Sequence, residues 1–358
     1  LATTSVPEHL LLRDANPNGS IRLVSIGGGT GLSTLLAGLK RFVGERSEET
    51  WIDSLSAVVT VSDDGGSSGR LRDELQILPP GDIRNCMIAL SEDSNLLSRL
   101  FRYRFGGAGD LAGHSFGNLF LAALTEVTGD FVEAVRLSSE VLASKGHIFP
   151  ATTSDVRLVA ELADGREVHG ESQITAARSH IRHLRLTPEH CLPLPETLAA
   201  IRTADVITIG PGSLFTSIIP NLLVRGVAEA IGEASGTKIF IANLMTQPGE
   251  TDDYGFCDHL DTIRNYAPQI RFDYAIVNDR AISPDQAALY RADGAYQVVL
   301  DQTSVEGLDP DLEVVWADLL DEGEMVRHST DRLARVVMSC AASARARKFM
   351  ETEVIAAN

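Results

Sequence analysis

Six short stretches of this 358-residue chain combine bare backbone with side chains able to do chemistry. Gly27-Gly-Gly-Thr-Gly31 lets the main chain close on a ligand, and a helix start just after it would offer free N–H groups to an anion. Leu32 and Thr34 fall where GxGxxG requires its last glycine, and the lysine of a P-loop is missing, so neither dinucleotide nor P-loop fingerprint is met. Asp63-Asp-Gly-Gly-Ser-Ser-Gly-Arg70 pairs two carboxylates with a second candidate anion nest, in which Ser67, Gly69 and Arg70 are ligand candidates. Asp63 and Asp64 suit a ribose hydroxyl or a Mg²⁺ ion, which needs one or two carboxylates besides phosphate oxygens; a solvated acidic turn is the plain alternative.

Gly81-Asp-Ile-Arg-Asn85 puts an acid, a guanidinium and an amide within one turn. Asn85 is a ligand candidate, while Asp82 reads equally as a helix cap. His114-Ser-Phe-Gly-Asn118 offers His114 and Asn118, with no acid assignable from sequence to complete a Ser-His-Asp triad. In Gly210-Pro-Gly-Ser-Leu-Phe-Thr216, Gly210 and Gly212 would approach a phosphate, and Ser213 and Thr216 suit capping or phosphate contact equally. The polar stretch Asn243–Asp252 and Tyr254 after it are longer than a connection needs, which suggests a flexible rim with Asn243, Thr246 and Thr251 facing a ligand.

Most of these stretches follow apolar runs that read as strands. Ile21–Ile26, Leu55–Val61, Val206–Ile209, Lys238–Ala242 and Tyr274–Val277 lack polar alternation, as strands covered by helices on both faces do. Leu32, Leu35, Leu36 and Leu39 are spaced for a helix, giving a βαβ opening. The expected fold is therefore α/β, Rossmann-like, with a mostly parallel sheet and ligands at its carboxyl edge. Val156–Leu162 and Glu167–Ile174 flank Asp164-Gly165 and predict a β-hairpin, so residues 151–191 form a small inserted antiparallel lobe. The remaining divisions are an N-terminal arm over 1–20, partly disordered, a core over 21–338, and a helix end with a fraying tail over 339–358.

A formal charge of −18 and the absence of a basic run interleaved with aromatics argue against nucleic-acid binding. In such a chain local amides and a few arginines must hold any bound phosphate. Cys86, Cys191, Cys257 and Cys340 form no CxxC pair, so neither a disulfide framework nor a zinc knuckle is expected. No apolar run reaches the roughly 20 residues of a membrane span. Residues 1–20 carry no basic leader, so no signal peptide is expected there and the default location is the cytoplasm.

Taken together, the six motifs, in this order from Arg22 to about Val337, resemble the YvcK (GlmR) family, the gluconeogenesis factors. More distantly the chain is similar to CofD, the 2-phospho-L-lactate transferase. The resemblance implies a cytoplasmic factor that binds UDP-sugars such as UDP-N-acetylglucosamine, regulates carbon flow into envelope precursors and supports cell shape. It implies that Gly28, Gly29, Thr30, Gly31, Leu32 and Ser33, with Gly210 to Thr216, line the phosphates. Tyr254 and Arg291 match a tyrosine and an arginine of the family's sugar-nucleotide site. A regulated enzyme is the partner such a factor implies, and a homo-oligomer is compatible with it. The competing reading is a CofD-like phospholactyl or nucleotidyl transferase that uses Mg²⁺ in the same site; whether the protein is an enzyme stays open, with binding without turnover favoured.

Overall fold

The computed structural model describes residues 19–46, 50–92, 96–299 and 309–357, with side chains of 351–357 left aside. The expected arm over 1–20 lies outside the described residues except for Gly19 and Ser20, the latter opening the first strand. Seven parallel strands form the central sheet: β1 (Ser20–Gly27), β2 (Trp51–Val59), β3 (His147–Pro150), β7 (Val206–Ile209), β8 (Thr237–Ile241), β9 (Tyr274–Asn278) and β10 (Glu313–Ala317). Their order is β10-β9-β8-β7-β1-β2-β3. The chain leaves β1 toward β2 on one side and later builds β7 on the other. The topological switch point therefore lies between β1 and β7, where parallel sheets open a ligand crevice at the carboxyl ends of their strands.

Helices cover both faces. The first, α1 (Gly29–Leu39), buries Leu32, Leu35, Leu36 and Leu39 completely. Between β2 and β3 run α2 (Gly66–Leu75), α3 (Gly81–Leu90), α4 (Leu96–Arg102), α5 (Phe116–Thr128) and α6 (Phe131–Val141). After β3 the predicted lobe is present, as a three-stranded antiparallel sheet of β4 (Arg157–Leu162), β5 (Glu167–His169) and β6 (Ile181–Thr187). The second arm of the expected hairpin stops early. Gly170, at a φ of 89°, turns the chain into α7 (Glu171–Ala177), whose Ile174 is fully buried.

The rest comprises α8 (Pro195–Thr203), a π-helical turn at Leu214–Ile218 with α9 (Ile219–Leu222), α10 (Val227–Glu233), α11 (Phe256–Tyr266), α12 (Pro284–Ala292), the small pair β11 (Leu320–Glu322) and β12 (Val326–His328), and α13 (Thr330–Ala357). The tail expected to fray past Glu351 continues this last helix. No single helix among the described residues is long and apolar enough to cross a membrane.

Candidate functional site

Two glycine loops meet at the switch point. The loop after β1 and the loop after β7 lie so close that a Cβ on Gly31 would stand 2.4 Å from the carbonyl oxygen of Pro211. Gly29 takes a φ of 62°, a conformation L side chains rarely adopt. Asn221 ties the two loops together, its amide donating to the carbonyls of Gly27 (2.9 Å) and Ser217 (2.7 Å). Asn243, after β8, accepts from the Gly212 N–H at 3.3 Å. The loops after β1 and β7 and the rim are thus one structure at the carboxyl edge.

The anion nest at α1 is not bare. Asp82, reaching across from the first turn of α3, accepts from the Gly29 N–H at 2.8 Å. It therefore caps α1 instead of its own helix, and a Cβ on Gly28 would strike it at 2.8 Å. Burial and the neighbouring charge of Asp63 raise the Asp82 pKa from 3.8 to about 6, against the lowering effect of the Gly29 N–H and Arg84. Glu171, brought in by α7 of the lobe, is raised well above the carboxylate range by burial and then by Asp63, Asp82, Glu250 and Asp64. The site is a carboxylate cluster pressed against a phosphate-type cradle.

The two adjacent aspartates separate in role. Asp64 accepts from the Ser172 N–H at 2.9 Å and packs against Gly170, so it anchors the lobe. Asp63 holds the Gly65 N–H at 2.8 Å and is the carboxylate felt by Asp82, Glu171 and Arg84. Beside them Ser67 lies 2.9 Å from Nδ1 of His114 and accepts from the Asn118 amide at 3.1 Å. Burial, then the Arg70 charge, lowers the His114 pKa and favours a neutral ring able to accept from the hydroxyl. This buried hydroxyl–imidazole pair joins residues 47 apart, which is why no local motif announced it. Among the described residues, no three His, Cys, Asp or Glu side chains converge as a ready-made metal cage.

A family model described as 2-phospho-L-lactate transferase CofD matches residues 23–320. The chain belongs to the CofD/UPF0052 family. Its relatives include the gluconeogenesis factors of Bacillus subtilis, 44% identical over 88% of this chain and 97% of theirs, and of Listeria innocua, 40% identical over 89% and 95%. A crystal structure of a UPF0052 family member from Bacillus halodurans superposes with a TM-score of 0.83 at 43% identity, covering 89% of this chain and 99% of the other. Membership of the family, the α/β class and the parallel sheet all agree with the reading of the sequence.

Other expected ligand residues of this CofD/UPF0052 chain are held by the protein itself. The Leu32 side chain is in the core, and the Ser33 hydroxyl donates to the Thr30 carbonyl. Gly69 packs against the backbone of Asp64, and Arg70 donates to the Ala112 carbonyl at 2.7 Å. Thr216 is buried in the π-helical turn. The rim is packed where looseness was expected: Thr246 accepts from the Tyr296 N–H, and Thr251 from the Gln247 N–H. Glu250, 2% exposed, accepts from Ser213 at 2.6 Å and from Thr175 of the lobe at 3.1 Å. One carboxylate therefore joins the rim, the lobe and the loop after β7.

Tyr254 packs edge-on against Phe215 and His259. With Phe215, His183 and Tyr266 it lines a cavity of about 200 Å³ between lobe and α11. Arg291 is exposed in the last turn of α12. A larger cavity, about 880 Å³, lies elsewhere, over the amino-terminal halves of β1 and β2 between α6 and α8. Its arginines, Arg22 and Arg136, are already paired with Asp205 and with Glu133 and Glu140, and neither glycine loop reaches it. The candidate residues gather at the carboxyl edge.

Proposed function

We propose that this CofD/UPF0052 protein binds a UDP-sugar of the UDP-N-acetylglucosamine type as a regulatory factor acting between gluconeogenic carbon flow and envelope precursors. The observation that carries this reading is the meeting of two glycine loops at the switch point, where the first turn of α1 opens and a diphosphate would lie. The phosphates would rest against Gly28 to Gly31 and Gly210 to Ser213, and the Tyr254–Phe215 cavity would receive an aromatic or sugar ring. Asp82 opposes a bare diphosphate, since two anions would share one helix terminus.

A Mg²⁺ ion removes that conflict, and the donor set fits one: Asp63 and Asp82 supply the one or two carboxylates that this ion takes alongside phosphate oxygens. When bound, the ion would neutralise the phosphate charge. The residues of this chain do the rest: loop amides orient the phosphates, and Asp64 and Glu250 hold the lobe and rim against them. A regulated enzyme is the partner this reading calls for.

The Ser67–His114 pair favours a second reading, a transferase of phosphorus-containing groups in the same site, because a hydroxyl and a neutral imidazole within 2.9 Å can pass a proton to or from an acceptor. Incubation with UDP-N-acetylglucosamine and Mg²⁺, with and without small hydroxy-acid acceptors, separates the two. Intact nucleotide with saturable binding supports the regulator, sustained release of UMP or UDP supports the transferase, and no binding refutes both.

A further inference from the structure

Arg84 is a buried cation in a place where cations are disfavoured. It is 7% exposed, yet among the described residues no carboxylate lies within 4 Å of its guanidinium. Its partners are neutral: Nη1 donates to Ser115 Oγ at 2.5 Å and Nη2 to Asn85 Oδ1 at 2.6 Å. Its Nε has no hydrogen-bond partner. The aliphatic stem lies over Gly117, where a Cβ would meet it at 2.9 Å. Ser115 is the N-cap of the 13-residue α5, so the guanidinium stands at the positive end of a helix.

The surrounding charges make the arrangement more costly. Arg104, held by a bond to the Gly113 carbonyl at 3.0 Å, repels Arg84, while Asp82 and Asp63 attract it from beyond contact distance. Desolvation and Arg104 together outweigh those two aspartates, and the Arg84 pKa falls to about 10. Although the Phe116 and Asn118 N–H groups of α5 already donate to Tyr103 O and Ser115 Oγ, a desolvated cation with an unpartnered Nε, no carboxylate within 4 Å and a second arginine facing it is a place where an anion would relieve the charge. Arginine also offers a fork that fits a planar or tetrahedral oxyanion in two-point contact.

We propose that Arg84, Arg104 and the amino end of α5 form a second anion subsite beside the glycine loops, which takes the phosphate or carboxylate group of a small co-ligand. Asp63 and Asp82 lie between the two anion-binding places, so a co-ligand seated on Arg84 presents its other end to the carboxylate cluster. The subsite stands on Arg84 and α5, and does not require that the glycine loops hold a UDP-sugar.

The test uses the whole chain, inorganic phosphate and acetate as separate probes, and calorimetry at constant ionic strength. Wild type binds at least one probe saturably, and the better probe identifies phosphate or carboxylate as the source. Arg84→Gln weakens that binding at least about tenfold, as loss of a charge-assisted bond requires. Arg84→Lys recovers part of it, because the charge returns without the fork. Arg104→Gln, an exposed change that leaves the packing of α5 alone, weakens it a few-fold. Gly31→Ala, whose Cβ presses on the Pro211 carbonyl and not on Asp82, leaves it unchanged even where it abolishes UDP-N-acetylglucosamine binding, so the two sites fail separately. Should Arg84→Gln not fold, Arg104→Gln and a phosphate-induced shift of the wild-type Arg84 Nε–H resonance carry the test. Unchanged affinity in Arg104→Gln with an unmoved Nε–H signal, loss in Gly31→Ala, or no binding of either probe to wild type overturns the proposal.

Discussion

Replacing Asp82 by Asn tests the electrostatic account of the site most directly. The substitution is nearly isosteric, and the amide oxygen can still accept from the Gly29 N–H. What changes is the charge. In the folded protein the Asp82 carboxyl titrates at about 6 instead of 3.8, with burial as the first cause and Asp63 the second. A carboxyl that holds its proton more tightly when folded favours the fold at low pH. That contribution is complete below about pH 4 and is lost as the pH rises through about 6. At about 1.4 kcal/mol per pH unit, the gap between the two values corresponds to about 3 kcal/mol.

The expected result is a difference between two curves. Wild type and Asp82→Asn unfold alike near pH 4, and above pH 6.5 the variant is more stable by up to about 3 kcal/mol. With about 2.1 cal/mol/K of unfolding entropy per residue over 358 residues, this is about 4 °C in the thermal midpoint. Glu171 and Glu250 also hold raised pKa values and impose slopes of the same sign, so only the difference isolates Asp82. Millimolar Mg²⁺ should raise the wild-type midpoint above pH 6 and leave the variant unmoved, since the cation relieves the repulsion between Asp63 and Asp82. Scanning calorimetry from pH 4 to 8 checks both. Parallel curves over the whole range would refute the claim that Asp82 is charged against its surroundings, and with it the argument for a cation.

Three further outcomes follow from named contacts. Gly31→Ala should lower the thermal midpoint by several degrees and abolish UDP-N-acetylglucosamine binding together, because its Cβ would press on the Pro211 carbonyl at 2.4 Å and separate the two loops. Glu250→Ala removes the link from Ser213 to Thr175 and should speed amide hydrogen exchange in α7 and in residues 243–254 at least about tenfold, with exchange in β1 unchanged. Tyr254→Ala should weaken UDP-N-acetylglucosamine by about ten- to a hundredfold while leaving the far-ultraviolet circular dichroism intact; full affinity in calorimetry would move the ring-binding end of the ligand out of the Phe215 cavity.

The frame of the molecule was legible because it depends on local pattern. Ile21–Ile26 and Val206–Ile209 are apolar without alternation, as strands covered on both faces must be, and Leu32, Leu35, Leu36 and Leu39 repeat at the helical period. β3 and β10 escaped notice because His147–Pro150 is short and Glu313–Ala317 is an edge strand with half-exposed side chains. Glu167–Ile174 read as a strand, yet Gly170 redirects it and Ile174 is buried from a helix instead. The glycine loops were readable, but their occupants were not. Asp82 looked like a cap for its own helix and proved to be a cap for α1, 53 residues away. Ser67 with His114 and Glu250 with Thr175 are likewise pairs between distant segments, and no spacing rule reaches them.

In the proposed regulator, the same long-range pairs would let the site respond to what it binds. Three carboxylates, Asp82, Glu171 and Glu250, are kept against their burial, and each comes from a different element: α3, the lobe and the rim. Their mutual repulsion opposes closure of lobe and rim over the loops, whereas the bonds of Asp64 to Ser172 and Glu250 to Thr175 favour it. A ligand that brings cationic charge with its phosphates reduces the repulsion and leaves those bonds intact, so it binds the closed arrangement better than the open one. That differential affinity is what lets a ligand shift a conformational balance, and in the proposed regulator it would arise from charge that these carboxylates hold at a cost. A neutral sugar without the diphosphate has no such effect, and in exchange measurements it should leave α7 and residues 243–254 as they are in the free protein.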